Sequence, residues 1–163
     1  MWLNRGKKAA KAIVGVLGLG VLIYVITPKP ALLEKYTFSS AVYDTHGRLL
    51  NLGLSLDDKY RLFVPYQDIP KDAVKSLLLY EDRFFHYHFG VNPLRMLSAV
   101  GKMASGARKQ GASTITMQLA RIVFNIDSST ISGKVEQMLR AIQIEMFYPK
   151  KEILEAYFNI APY

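Results

Sequence analysis

One carboxylate in this sequence stands where it could act as a base. Glu81 follows Val74, Leu77 and Leu78 at separations of seven, four and three residues, so it continues an apolar helical stripe. Apolar neighbours and a place in a helix's last turn both penalise a negative charge. Both therefore favour uptake of a proton, the property that general-base work near neutral pH requires. A lone Glu at such a position could equally snorkel past Leu78 into water. Here Asp82, Arg83, His86 and His88 follow closely, interleaved with Phe84, Phe85 and Tyr87. That density of polar and aromatic groups at a helix end marks a site.

Three further stretches carry polar chemistry. In Gly111-Ala112-Ser113-Thr114-Ile115-Thr116-Met117-Gln118, followed by Arg121, the residues Thr114, Gln118 and Arg121 share one helix face. Ile115, Leu119, Ile122 and Val123 take the other. Free backbone N–H groups, the helix dipole and Arg121 would together cradle an anion at the helix start. The same pattern also describes a Ser-capped amphipathic helix with a solvated face. In Gly133-Lys134-Val135-Glu136-Gln137, Lys134 and Gln137 share a face away from the apolar stripe, and a Lys in a first turn opposes the dipole, so it serves something else. Lys150 to Asn159 is an amphipathic helix whose charges could be solvated face. None of these stretches has metal-ligand spacing: His86 and His88 lack a clear third ligand. Ser113 has no His or Lys at diagnostic spacing, so no nucleophilic triad is supported.

The elements that must position these groups read as mainly α with a small β entry. Asp68 is a plausible N-cap, with Pro70 in the first turn of a helix that reaches Glu81. Before it, Ala41-Val42-Tyr43 and Arg48-Leu49-Leu50 flank a hairpin turn at Asp44-Thr45-His46-Gly47, and Tyr60 to Val64 is a third candidate strand. Asn92-Pro93 opens a helix to about Ala104, and Ser105 to Gly111 is a basic loop. Ser113 caps a helix from Thr114 to about Phe124. A longer helix spans about Gly133 to Tyr148, with Val135, Leu139, Ile142 and Met146 as its expected buried stripe. Pro149 opens the last helix.

The chain has 163 residues, half of them hydrophobic, which allows one domain plus an appendage. It has no Cys, which excludes disulfides, thiolate chemistry and Cys-based zinc sites. Residues 1–11 form a basic leader with Arg5, Lys7, Lys8 and Lys11, followed by an uncharged apolar run at 12–27. That run is expected to be an uncleaved single-pass anchor with the N-terminus in the cytoplasm and the rest outside. The formal net charge is +8. Between Arg83 and Lys134 the cations Arg83, Arg95, Lys102, Arg108, Lys109, Arg121 and Lys134 face only Asp127. A basic middle on an external domain suggests an anionic lipid or a phosphorylated glycan carrier, and nucleic acid fits poorly there.

Taken in order, the four stretches resemble the glycosyltransferase family 51 domain, the peptidoglycan glycosyltransferase module of class A penicillin-binding proteins. Glu81, Asp82, Phe85, His88 and Gly90 meet its first motif. Gly111, Ser113, Thr114 and Gln118 meet the second, with Met117 replacing a Gln. Lys150, Ile153, Leu154, Glu155, Tyr157 and Asn159 meet the fourth, with Phe158 for Leu. The third departs: Lys134 is kept, but Gly133 stands for Arg and Gln137 for the second carboxylate. Those departures resemble the penicillin-binding protein 1C branch.

The resemblance covers roughly residues 50–163, after a juxtamembrane segment at 28–49. It implies a lysozyme-like fold and polymerisation of lipid II on the outer face of the bacterial cytoplasmic membrane. Glu81 would be the general base. Asp82, Arg83, Phe85, His88, Ser113, Thr114, Gln118, Arg121, Lys134 and Gln137 would bind substrate, with Arg121 and Lys134 offsetting the leaving pyrophosphate. No cofactor is required, and a divalent metal is left open. Partners would be lipid II, the lipid-linked glycan chain, the membrane and a cell-wall synthesis complex. Two alternatives stand beside this: a catalytically weak lipid II-binding module, and a lysozyme-like glycan-cleaving enzyme. The end of the chain directly after a helix reads as a cut inside a domain, so these 163 residues alone are expected to be inactive.

Overall fold

The computed structural model describes Gly15, residues 27–95 and residues 113–162. The expected anchor, apart from Gly15 and Thr27, lies outside the described residues, as do most of the helix opened by Asn92-Pro93 and the basic loop. Among the described residues no helix is long and apolar enough to cross a membrane. The chain divides into two compact units, Met1–Pro30 and Ala31–Tyr163. The second contains every candidate site residue, and its described residues are mainly helical with one two-stranded sheet.

That sheet pairs β1 (Ala41–Tyr43) with β2 (Leu49–Leu52) antiparallel, Val42 opposite Asn51, with an irregularity between Val42 and Tyr43. Asp44 closes the turn by accepting the backbone N–H groups of His46 and Arg48, both at 2.8 Å. The third candidate strand does not form. Tyr60 to Val64 is held by separate contacts instead: Ser39 N–H donates to the Arg61 carbonyl at 2.8 Å, and Asn159 takes both backbone groups of Val64. A side-chain amide from the far end of the chain thus replaces a neighbouring strand.

Helix α1 is Lys71–Glu81, and it starts later than the Asp68 cap would require. A single 3-10 turn, Tyr66–Asp68, precedes it. Ile69, before Pro70, is extended at φ −73° and ψ 125°, as the proline ring demands of its predecessor, so the helix cannot reach back to Asp68. Helix α2 is Ile115–Phe124. Its cap is Thr114 rather than Ser113: Thr114 Oγ1 accepts from Met117 N–H at 3.1 Å. Asn125 ends it in the left-handed region at φ 51°. Asn92 does cap as expected, its Oδ1 accepting from Arg95 N–H at 3.1 Å.

Helix α3, Ile131–Phe147, begins at a Thr130 cap and turns the opposite way from its apolar pattern. Gly133, Gln137, Ala141 and Ile144 face inward, while Val135 and Leu139 are 45% and 62% exposed. The cause is close backbone contact at small residues. Gly90, at φ 79°, lies against α3 so tightly that a Cβ there would sit 2.7 Å from the Ala141 carbonyl carbon. Gly133 lies against the preceding turn, where a Cβ would be 1.9 Å from the Asp127 carbonyl oxygen. Only that face of α3 lets neighbouring backbone come so near. Helix α4, Lys150–Ile160, follows Pro149 directly. It packs with α2 and α3 around Leu32, Phe85, Ile115, Met117, Leu119, Ile144, Ile153 and Leu154.

Candidate active site

The site is assembled where the end of α1 meets the start of α2. Glu81 is the last residue of α1, and its neighbour Asp82 turns the chain at φ −153°. The unfavourable carboxylate at this helix end is offset from outside the helix. Arg95 Nη1 donates to the Glu81 backbone carbonyl at 2.7 Å and lies 3.9 Å from Asp82 Oδ1. A cation at a helix C-terminus relieves the dipole, and here it arrives from fourteen residues downstream. Glu81 itself is half-buried. Its Oε2 accepts from Gln118 Nε2 at 2.8 Å, and Gln118 Oε1 accepts from the Tyr157 hydroxyl at 2.9 Å.

Asp82 has a different task. It is fully buried, and its Oδ2 accepts from the ring N–H of His88 at 2.9 Å and from Ile115 N–H at 3.0 Å. The anion at the N-terminus of α2 is therefore Asp82. This corrects the expectation of an open cradle there, since the first helical N–H is already taken and Met117 N–H goes to Thr114. Arg121, six residues further along α2, is about 9 Å from that first turn. Thr114 is buried and donates through Oγ1 to the Gly90 carbonyl at 2.5 Å. Phe85, 1% exposed, packs under the Lys150 ammonium at 4.3 Å from ring centre.

Lys150 binds these parts together. Its Nζ donates to the His88 carbonyl at 2.8 Å and to Glu145 Oε1 at 2.6 Å, and Glu145 Oε1 also accepts from Thr116 Oγ1 at 2.7 Å. Of the charged residues in the fourth stretch, Lys150 and Glu155 are thus braces, while Lys151 and Glu152 are exposed. Glu155 Oε2 accepts from Tyr66 N–H at 2.7 Å.

A cationic corner lies along α2 and α3. Lys134 Nζ donates to Ser113 Oγ and to Gln137 Oε1, each at 2.7 Å. Burial pushes the Lys134 ammonium's pKa down, and the nearby Arg121 charge pushes it the same way. Both acceptors are neutral, so among the described residues no carboxylate compensates Lys134. Gln137 is 2% exposed and spends its Nε2 on the Met117 backbone carbonyl at 2.7 Å. A carboxylate could not make that bond. Arg121 is exposed. Arg83 is exposed as well and makes no polar contact among the described residues.

The structure thus gathers Glu81 with Gln118, Asp82 with His88 and the Ile115 N–H, and Lys134 with Ser113, Gln137 and Arg121. Sequence reasoning named Lys150 and Tyr157 as motif residues without giving them a role at the site, and it missed Arg95 and Glu145 as members of the constellation. The one local signal was Arg95 on the first turn of its own helix; the others act across 39 residues or more, or from another helix. Beside the site, an apolar cleft of about 320 Å³ is lined by Phe84, Tyr87, His88, Leu94 and Arg95 among others. Among the described residues no three His, Asp or Glu side chains gather in a metal-holding arrangement.

Residues 47–163 match the family model described as Transglycosylase. The chain belongs to the transglycosylase family. The transglycosylase segment holds both Glu81 and Lys134 and all the braces around them. The chain is 35% identical over 163 aligned residues to penicillin-binding protein 1A of Aquifex aeolicus, covering 91% of this chain and 22% of that protein. It is 38% identical over 119 residues to penicillin-binding protein 1A of Escherichia coli, covering 72% of this chain and 14% of the relative. With penicillin-binding protein 1C of the same organism it shares 39% identity over 108 residues, covering 66% and 14%. This transglycosylase chain spans about a fifth or less of the length of these relatives.

Proposed function

We propose that the protein is a peptidoglycan glycosyltransferase that polymerises lipid II with inversion, using Glu81 as its single general base. The observation that carries this is the half-buried Glu81 at the end of α1, with one oxygen held by Gln118, while Lys134 and Arg121 form a cationic corner on α2 and α3. The acceptor sugar's 4-hydroxyl oxygen attacks the anomeric carbon of the lipid-linked donor. Its proton passes to Glu81, and the bond from the anomeric carbon to the phosphate oxygen breaks. The electron pair leaves with the polyprenyl pyrophosphate, whose charge Lys134 and Arg121 offset.

The other carboxylates near the site are engaged. Asp82 binds His88 and the start of α2, and Glu145 binds Lys150 and Thr116. Gln137 keeps Lys134 in place without adding charge. The chemistry therefore rests on one carboxylate and an unneutralised lysine. Asp82, Phe85, His88 and Thr114 serve by positioning, Ser113 and Gln137 by holding Lys134, and Arg83 lies outside this machinery. The apolar cleft and the basic residues suit a lipid-linked, pyrophosphate-bearing substrate, and the uncharged run at 12–27 would keep the domain at the cytoplasmic membrane's outer face. The lysozyme-like fold and membership of a cell-wall synthesis complex belong to the same reading.

Product analysis tests it. The full-length protein, given labelled lipid II, should yield glycan polymer and one polyprenyl pyrophosphate per bond formed. Binding without polymer, or cleavage of preformed glycan to muropeptides, would overturn the reading.

A further inference from the structure

The charge of a departing pyrophosphate can be met in two ways. Side-chain cations can contact it directly, or a divalent ion can bridge its oxygens while one or two carboxylates hold that ion to the protein. The acids around Lys134 and Arg121 decide between them. From Arg83 to Lys134 the sequence holds seven cations and a single acid, Asp127. Asp127 Oδ1 accepts from the backbone N–H and the hydroxyl of Ser129, at 3.0 and 2.6 Å, inside its own turn. Glu136 stands two residues after Lys134, about 200° round the helix, exposed and 3.9 Å from Arg140 Nε. Asp82 and Glu145 are committed to His88, the Ile115 N–H, Lys150 and Thr116. The two oxygens that face Lys134, Ser113 Oγ and Gln137 Oε1, already accept from its ammonium. A divalent ion brought to this corner would meet two positive charges and, among the described residues, no uncommitted carboxylate beside them. Glu81 would have to give up its role as base to hold one. The corner does not fit a metal.

We propose that this chain takes its pyrophosphate group as the metal-free anion, with Lys134 and Arg121 among its counter-charges, and that Gln137 is the residue that makes the site independent of divalent ions. The amide at 137 fixes Lys134 through a neutral acceptor and spends its other end on the Met117 carbonyl. The whole ammonium charge is thereby left for phosphate oxygens. A carboxylate at 137 would neutralise that charge and offer a ligand oxygen to a divalent ion in its place. An arriving anion also relieves the repulsion between Lys134 and Arg121, so the empty corner is poised for negative charge. A divalent ion already on the pyrophosphate would lower its charge and weaken this attraction. The inference rests on the proposed function for the identity of the leaving group; the counter-charge arrangement is independent of it.

The test uses the full-length protein with inorganic pyrophosphate as probe, titrated at constant ionic strength in excess EDTA and again in millimolar magnesium. Wild type should bind in EDTA and no more tightly in magnesium. Lys134→Met should weaken binding in EDTA about tenfold or more, the loss expected for a charge-assisted hydrogen bond. Gln137→Glu, compared at equal folded concentration, should bind weakly in EDTA and gain affinity from magnesium. Polymerisation of lipid II by wild type should run at the same rate in both buffers. Tighter pyrophosphate binding by wild type in magnesium, or none in EDTA, would overturn the proposal, as would a polymerisation rate that falls in EDTA and returns with magnesium. A Gln137→Glu protein as indifferent to magnesium as wild type would overturn the role given to Gln137. If wild type binds pyrophosphate in EDTA yet makes no polymer in either buffer, the metal-free site stands and the proposed reaction fails.

Discussion

At the residue scale, each polar group near the site has one assignment and few substitutes. Glu81 and Asp82 are neighbours in sequence with opposite fates: one half-buried and facing Gln118, the other fully buried at the foot of α2. Gln137 is the sharpest case. Its amide bridges the Met117 carbonyl and the Lys134 ammonium, using a donor and an acceptor at once. Gln137→Glu removes the donor and leaves a buried carbonyl facing a carboxylate, partly offset by an ion pair with Lys134. The expected outcome is a loss of about 1–2 kcal/mol in stability by denaturant titration, with no gain in polymerisation rate. A faster variant of unchanged stability would show instead that Gln137 limits turnover. Much at this scale was legible in the sequence. The spacing of Glu81 after three apolar residues matches its half-buried place at the end of α1. Lys134 and Gln137 do share a face, but that face turns inward rather than away from the core as expected. Tyr157 and Lys150 were not legible in their roles, because their partners are set by how α4 crosses the other helices rather than by any local pattern.

At the element scale, the existence of the helices follows from period and caps, and their rotation does not. Helix α3 carries two usable faces. Val135, Leu139 and Ile142 are the more apolar one, yet Gly133, Gln137, Ala141 and Ile144 are inside. Hydrophobic periodicity ranks faces by transfer free energy, whereas this contact is decided by how close backbone can come, to Gly90 at one turn and to Asp127 at another. The same contact explains why Gly133 stands where the family motif carries Arg. A side chain there must displace the turn from Asp127 to Thr130, and with it the Thr130 cap on Gly133 N–H at 3.0 Å. Gly133→Ala is therefore expected to destabilise the fold by about 1–3 kcal/mol in denaturant titration. Ser132→Ala, one residue earlier and exposed, should change it by no more than about 0.5 kcal/mol. Equal effects from the two would contradict the close-approach account.

At the scale of the whole second unit, the four motif-bearing stretches are not four independent subsites. One set of contacts runs from Glu81 through Gln118 to Tyr157, and another from His88 through Lys150 and Glu145 to Thr116. Asn159 adds a clamp on Val64, 95 residues away, in place of the strand that the sequence suggested at Tyr60 to Val64. Such closures were invisible beforehand, since a lone Asn near a helix end has many possible partners. Among the described residues, Asp82, Glu145 and Glu155 thus serve as braces, which singles out Glu81 for the proposed role of base. The central claim is that this one carboxylate carries the proton transfer. It is tested most directly by the initial rate of glycan formation from lipid II by the full-length Glu81→Gln protein, measured beside wild type at equal folded concentration. The account predicts a loss of about a thousandfold or more, at the upper part of the range for losing a general base that nothing nearby replaces. A rate within tenfold of wild type would contradict it.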